Sequence, residues 1–335
     1  MKPINQQTYN RLLWLDNARA IGLLLILLCH IPPRYGNFHD FIYSFHVPMF
    51  FVFSGLYLRI GISTKSVIRN FKNLMIPYAY YNLFLIVISI AIGLYYGNLS
   101  YNWIQNNIIG ILMGSSKAEC PWQLIAGPSW FIPALFISKT ICSYILSKKT
   151  TFVLFSTIIL SLLYYWLHYS FSWCFWSIDS AILGCIFILF GYYCRHYFLK
   201  IGTLSLYIKE LLIVVSLSIM ILLNINGCSN MFRGEFGNNL FLFIILGISG
   251  TILTSGIASL FTCRTHLAST LITSAILFIC THTFIMEYVS LAYVKVSGRS
   301  WNFVTIDKAI ILLSTILIFI SLATLLRKIS PKLIR

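Results

Sequence analysis

Asp16, Arg19 and His30 lie along one apolar stretch of the chain: an acid, a guanidinium and an imidazole, with no other ionisable side chain between Arg19 and Cys29. Eleven residues separate Arg19 from His30, close to three turns at about 3.6 residues each, so the two side chains fall on nearly the same helix face. Asp16 lies within about 60° of that face. The rise from Asp16 to His30 is roughly 21 Å, most of the depth of a bilayer core. Histidine is the side chain whose ordinary pKa suits proton transfer near neutral pH. On spacing alone this face either holds something polar along its length or ends in an ordinary helix-terminal histidine.

Further groups follow. Arg69 and Lys72, at i and i+3 ahead of Pro77, point the same way on a helical turn. They suit a phosphate, with the arginine able to bind bidentately, or serve as a positive anchor at a membrane face. Ser54-Gly55 is a small pair that lets a ligand or another helix approach the backbone. His46 is either a packed imidazole or a polar cavity lining, and Trp130 either grips a substrate or belongs to an interfacial belt. His282 and Glu287, five residues apart, are only loosely co-facial and read most simply as a structural polar pair.

These groups need elements to hold them. With 335 residues, 59% hydrophobic and 10% charged, the chain has too much apolar surface for a soluble core and is expected to be an all-α polytopic membrane bundle. Segments of spanning character fall at about 18–31, 41–58, 74–96, 130–146, 152–167, 178–194, 211–223, 240–260, 271–294 and 310–326, ten helices in one membrane domain over residues 1–335. Pro48 is expected to kink the second of these, and 59–73 to form a loop. The stretch 103–113 reads as an interfacial amphipathic segment, and Lys139 and Asp179 as charges turned to the bundle interior or, for Asp179 near an outer end, simply solvated. Gly247, Gly250 and Gly256 read as close-packing sites.

With the N-terminus inside, seventeen Lys and Arg fall on the inner side, Lys2, Arg11, Lys332 and Arg335 among them, and six, including Arg34, on the outer side. Both termini are therefore expected in the cytoplasm. The net charge of +16 is then mostly a topology signal and an attraction to anionic headgroups, with no nucleic acid required. After the first apolar run comes Cys29-His30-Ile31-Pro32-Pro33 rather than a small-residue cleavage pattern, so that helix is expected to stay uncleaved. Nine scattered cysteines without a C-x-x-C pair argue against a metal site; Cys120 and Cys228, both in outer loops, are the two that can bridge.

Asp16-x-x-Arg19-x10-His30, Phe45-His46-Val47-Pro48-Met49-Phe50-Phe51 running into Ser54-Gly55, the basic pair before Pro77 and Gly127-Pro128-Ser129-Trp130-Phe131 together resemble the acyltransferase-3 family of integral membrane acyltransferases. The short form with a GP-x-WF segment is most similar to its sugar O-acetyltransferase branch. The resemblance implies about ten spans, acetyl-coenzyme A as acyl donor and a hydroxyl of a surface polysaccharide or lipid-linked sugar as acceptor, in a bacterial inner membrane. It implies that His30 is the essential histidine, with Asp16 and Arg19 as its companions on the catalytic helix, and that Ser54 and Gly55 form the small-residue motif. Arg69 matches the first arginine of an R-x-x-R pair; Lys72 at the second position keeps the charge and loses the fork. Arg69, Lys72, Ser54 and Gly55 are then expected to bind the donor, and His46, Trp130 and His282 the acceptor. A polysaccharide exporter or flippase is the rival expectation, since it too would be basic, polytopic and aromatic-rich. A polymerase fits less well, because the long outer loop at 97–128 carries only Lys117 and Glu119 as charges.

Overall fold

Apolar sequence in this chain becomes helix almost throughout. The computed structural model describes residues 12–32, 36–97, 99–115, 117–122, 124–301 and 303–329; Pro33 and the basic residues Lys2, Arg11, Arg34, Lys332 and Arg335 lie outside them. Helix α1 (Leu13–His30) stops where Ile31 turns extended, at φ −73° and ψ 126°, because the ring of the following proline disfavours helical geometry in the residue before it. A short helix α2 (Asn37–Tyr43) then leads into α3 (His46–Leu56).

Pro48 does not kink a long span. The chain breaks at Ser44-Phe45, and α3 restarts at His46, so Pro48 occupies the first turn, where a missing N–H costs no helix bond. The expected loop at 59–73 is also mostly helix: α4 (Thr64–Tyr96) runs 33 residues from a capping box, in which the Ser63 hydroxyl accepts from the Ser66 N–H at 3.1 Å. Arg69 and Lys72 therefore ride on its first turns. Helix α5 (Tyr101–Met113) is the amphipathic segment, and a 3-10 turn over Gly127–Trp130 opens into α6 (Phe131–Ile145).

The remainder is α7 (Thr150–Ser170), α8 (Ile178–Lys200), α9 (Leu206–Leu223), a two-stranded hairpin of β1 (Ser229–Asn230) and β2 (Glu235–Phe236), α10 (Leu240–Ala258), α11 (His266–Thr273), α12 (Ala275–Ser297) and α13 (Thr305–Ile329). Among the described residues, eight helices are long and apolar enough to cross a membrane: α1, α4, α7, α8, α9, α10, α12 and α13. Two of the ten expected spans are shorter, α3 at 11 residues and α6 at 15. Both pack inside the bundle, where neighbouring helices rather than lipid cover them.

Helix α3 is the centre of the packing, against α1, α8 and α10. Gly55 and Gly191 make its crossing with α8 possible: a Cβ on Gly55 would lie 2.2 Å from the Ile188 carbonyl oxygen, and one on Gly191 2.1 Å from that of Val52. Of the three glycines expected to pack closely in α10, Gly250 receives the Phe45 ring at 2.2 Å from a built Cβ, while Gly247 and Gly256 would meet neighbours at 2.8 Å. The three α3 residues left partly accessible are Val47, Phe50 and Ser54, a single stripe at helical spacing.

Candidate active site

The end of the bundle at His30 holds a cavity of about 440 Å³. Helix α1 contributes Ile26 and His30, α2 His39 and Tyr43, and α3 His46, Val47 and Phe50. Helix α12 contributes Ile279, His282, Thr283 and Glu287, whose spacings of three and four residues place them along one face. Four of the chain's seven histidines thus line one space. The His30 and His282 rings meet edge to face at 5.1 Å, His39 stacks on Tyr43 at 4.0 Å, and Tyr43 meets His46 at 4.7 Å.

The protonation of these rings follows from their hydrogen bonds. His30 Nδ1 lies 2.8 Å from the Ile26 carbonyl oxygen, His46 Nδ1 2.9 Å from that of Ile42, and His282 Nδ1 2.7 Å from that of Phe278. Each partner is the carbonyl four residues earlier, on the same helix for His30 and His282 and on the preceding helix α2 for His46. A carbonyl oxygen only accepts, so Nδ1 carries the proton in each neutral ring and Nε2 is the basic nitrogen. His39 is held differently, its Nδ1 3.1 Å from the Asp40 carboxylate.

The cavity's far wall comes from loops. Asn82 of α4, fully buried, donates to the Ser129 hydroxyl at 3.3 Å, and Ser129 donates to the Ala126 carbonyl at 2.7 Å. That fixes the Gly127–Trp130 turn and presents Trp130, 5% exposed, with Phe232 of the hairpin against its ring at 5.4 Å. The hairpin in turn is anchored at its base. Buried Asn226 donates to the Phe236 carbonyl at 2.7 Å and accepts from the Asn239 N–H at 2.9 Å. Gly237, at φ +64°, leaves room for the Asn226 carbonyl, which a Cβ would meet at 1.9 Å. Cys228, Arg233 and Glu235 complete the polar rim.

The opposite end of α1 is different. Asp16, buried, accepts from the Arg264 guanidinium at 2.7 Å, and the Asn17 amide donates to the Cys263 carbonyl at 3.2 Å, pinning the α10–α11 loop to α1. Arg19 of α1 and Arg69 of α4 lie near enough to Lys139 of α6 for their charges to act on its ammonium. Between the two ends, α1 and α3 meet at Gly22: a Cβ there would lie 2.2 Å from Met49 Cε and 3.0 Å from the Phe50 ring. Flexible side-chain ends, not backbone, fill the seam.

Residues 12–326 match the acyltransferase-3 family, described as an acyltransferase domain. The chain belongs to that family. No curated protein and no solved structure matches it. As a membrane acyltransferase it needs a place for an acyl donor and a place where the acyl group is handed on.

Against that requirement the expected residues divide. His30, His46, His282 and Trp130 share the cavity of the acyltransferase, and Glu287, expected to be a structural partner of His282, lines the same space. Asp16 does not join them: it is engaged by Arg264, about 21 Å along α1 from His30 by helical rise. Arg19 and Arg69 act on Lys139 from that end and Lys72 is not among those charges, although Arg69 and Lys72 are both exposed on α4. Gly55 faces α8 backbone, which replaces the expected ligand approach with a helix crossing. Ser54 donates to the Phe50 carbonyl at 2.9 Å, on the α3 stripe that continues from the cavity. All nine cysteines are free; Cys120 is buried and donates to the Trp122 carbonyl at 3.2 Å, so it does not bridge to Cys228.

The sequence reading missed His39, Tyr43, the hairpin residues Arg233 and Glu235, and the meeting of Lys139 with two arginines. A signal existed for the last, a lone lysine in an apolar segment. The expectation that Asp179 faces inward also holds, since it receives Lys117 at 2.5 Å with both side chains buried.

Proposed function

We propose that this acyltransferase moves an acetyl group from acetyl-coenzyme A, met at the basic end in the cytoplasm, to a hydroxyl of a surface glycan or lipid-linked sugar held in the imidazole cavity on the outer side of a bacterial inner membrane. The observation that supports the reading is that α1 carries His30, at a cavity lined also by His46 and His282, and three turns away Arg19, whose charge acts with that of Arg69 on Lys139.

Arg19, Arg69 and Lys139 suit the phosphates of the donor, the two guanidiniums by bidentate hydrogen bonds and the ammonium as a point charge. The thiol arm then runs along the α1–α3 seam past Gly22, displacing Met49 and Phe50, and brings the thioester to His30. His30 Nε2 takes the proton of the sugar hydroxyl as its oxygen attacks the thioester carbonyl. The C–S bond breaks, the thiolate of coenzyme A leaves, and the imidazolium returns the proton to it. Trp130 and Tyr43 offer flat faces to the sugar, and Glu287 and the rim residues Arg233 and Glu235 offer hydrogen bonds to its hydroxyls.

The test is acetyl content. In cells that carry the glycan, His30→Ala protein that inserts normally is expected to leave the glycan displayed and unacetylated. Acetylation at the wild-type level, with display lost, would replace this reading by the glycan exporter or flippase.

A further inference from the structure

A second cavity, also about 440 Å³, lies on the other side of the hairpin. One wall is the last turns of α7, with Tyr164, Tyr165, His168 and Tyr169; the others are the hairpin at Gly234–Phe236 and the following segment with Asn238 and Asn239. Cys228 and Glu235 line both cavities, so the two spaces adjoin across the hairpin's edge. Nothing in the chemistry proposed above uses this second space.

Its walls have the two properties a sugar ring asks for: flat aromatic faces for the C–H side, and amide or carboxylate groups for the hydroxyl rim. Tyr165 and Tyr169, one turn apart on α7, have rings 4.5 Å from each other and are 59% and 70% exposed. Asn238 donates to the Ile225 carbonyl at 3.1 Å, which fixes the amide and leaves its carbonyl oxygen as an acceptor. Tyr164, only 4% exposed, has a hydroxyl with no hydrogen-bond partner among the described residues. A buried phenol hydroxyl is rarely left so. It lies 3.9 Å from where a Cβ on Gly234 would be, and that same Cβ would be 2.8 Å from the His168 ring. Glycine there, at φ +73°, keeps the floor of the cavity open beside the unmet hydroxyl.

A membrane-interface belt accounts for exposed tyrosines at a helix end. It does not account for a polar hairpin wall facing them, or for the unmet Tyr164 hydroxyl.

We infer that the second cavity is a subsite for a neighbouring sugar of the acceptor, so that the acyltransferase selects a chain of at least two sugars, one at His30 and the next on Tyr165 and Tyr169. This rests on the function proposed above. A single sugar fills the first cavity alone and forgoes the second set of contacts.

The experiment uses the full protein in lipid nanodiscs with radiolabelled acetyl-CoA. The acceptors are fragments of the surface glycan from cells lacking this protein, separated by size into single sugars and longer pieces. The expected result is a kcat/KM for fragments of two or more sugars about tenfold above that for single sugars, the scale of one aromatic stacking contact. The double variant Tyr165→Ala/Tyr169→Ala is expected to lose that advantage through KM, and Tyr164→Phe, which keeps the ring and removes only the hydroxyl, part of it. Equal use of short and long fragments by the wild type overturns the inference. So does a double variant that slows all fragments alike, since the tyrosines would then be membrane anchors. If the wild type and His30→Ala are equally inactive on every fragment, it is the acyl-transfer reading that fails, and the subsite falls with it.

Discussion

At one end of α1, His30 shares a cavity with His46 and His282, side chains that hold or release a proton according to what they touch; at the other, Arg19 shares space with Arg69 and Lys139, side chains suited to an anion. The local means differ as well. Each imidazole is oriented by the carbonyl four residues earlier, within one helix for His30 and His282 and across the α2–α3 junction for His46. The cations come from three separate elements, α1, α4 and α6. On the function proposed above, one end serves proton transfer and the other recognition of an anion. The comparison teaches why a single helix face can serve two chemistries: about three turns separate them, too far for direct interaction and short enough for an extended substrate to reach both.

The largest effect that can break this comparison is at His30. His30→Ala is expected to lower acetyl transfer by about 10²- to 10⁴-fold, the usual span for a general base, with acetyl-CoA affinity retained. Transfer measured with radiolabelled donor, alongside donor-induced thermal stabilisation, separates the two. Loss of donor binding in this variant would merge the two ends into one site. Next is Gly22→Leu, which fills the seam with a branched side chain against Met49 and Phe50. Transfer is expected to fall about 10²-fold while each end still binds its own ligand, because the reacting groups no longer meet.

At the basic end, Arg69→Ala and Lys139→Met are expected to raise the KM for acetyl-CoA by about tenfold each, the loss of one charge-assisted contact, with kcat little changed. Lys139→Met should also raise thermal stability without donor, since it removes one member of a like-charged cluster. A rise in acceptor KM instead would contradict the division of labour. Smaller still is Gly237→Ala, which forces a Cβ against the Asn226 carbonyl at positive φ and costs about 1–3 kcal/mol locally. Acceptor KM is expected to rise and donor KM to stay, a split that steady-state kinetics reads directly.

The mildest test asks whether the ends face opposite sides of the membrane. Cys228 at the imidazole end and Cys263 at the basic end are both exposed free thiols. In single-cysteine variants on intact cells, a membrane-impermeant maleimide is expected to label Cys228 and spare Cys263. Burial and the neighbouring Asp40 push the Cys228 thiol up to about 11, so it is protonated near neutral pH. Its labelling should therefore be slow and gain about tenfold per pH unit between 7 and 9. Asp40→Asn should speed it. Equal labelling of both thiols would place the two ends on one side.

Much of this arrangement was legible in the amino-acid order, and the reasons differ from residue to residue. The Arg19–His30 face could be read because helical periodicity is local. The bundle could be read because lipid leaves no other solution for so apolar a chain. Gly55 was left open, because a small residue admits a ligand and a helix equally, and only the position of the α8 backbone shows that a helix crosses there. Asp16 was grouped with His30 by motif, although its partner Arg264 lies 248 positions away along the chain. The hairpin left no signal, since strands of two residues have no period, and what holds them is Asn226 and Gly237 at their base.

The amino-acid order by itself determined that the chain is a helical membrane bundle and that one helix carries a guanidinium and an imidazole on nearly one face three turns apart, because hydropathy and helical pitch act through near neighbours. Only the tertiary structure decided that His46, Trp130 and His282 join His30, that Lys139 joins Arg19 and Arg69, and that a hairpin covers the cavity. Those meetings depend on how α3 and α12 pack against α1 and how α6 packs against α4, and packing is a property of surfaces far apart in the chain.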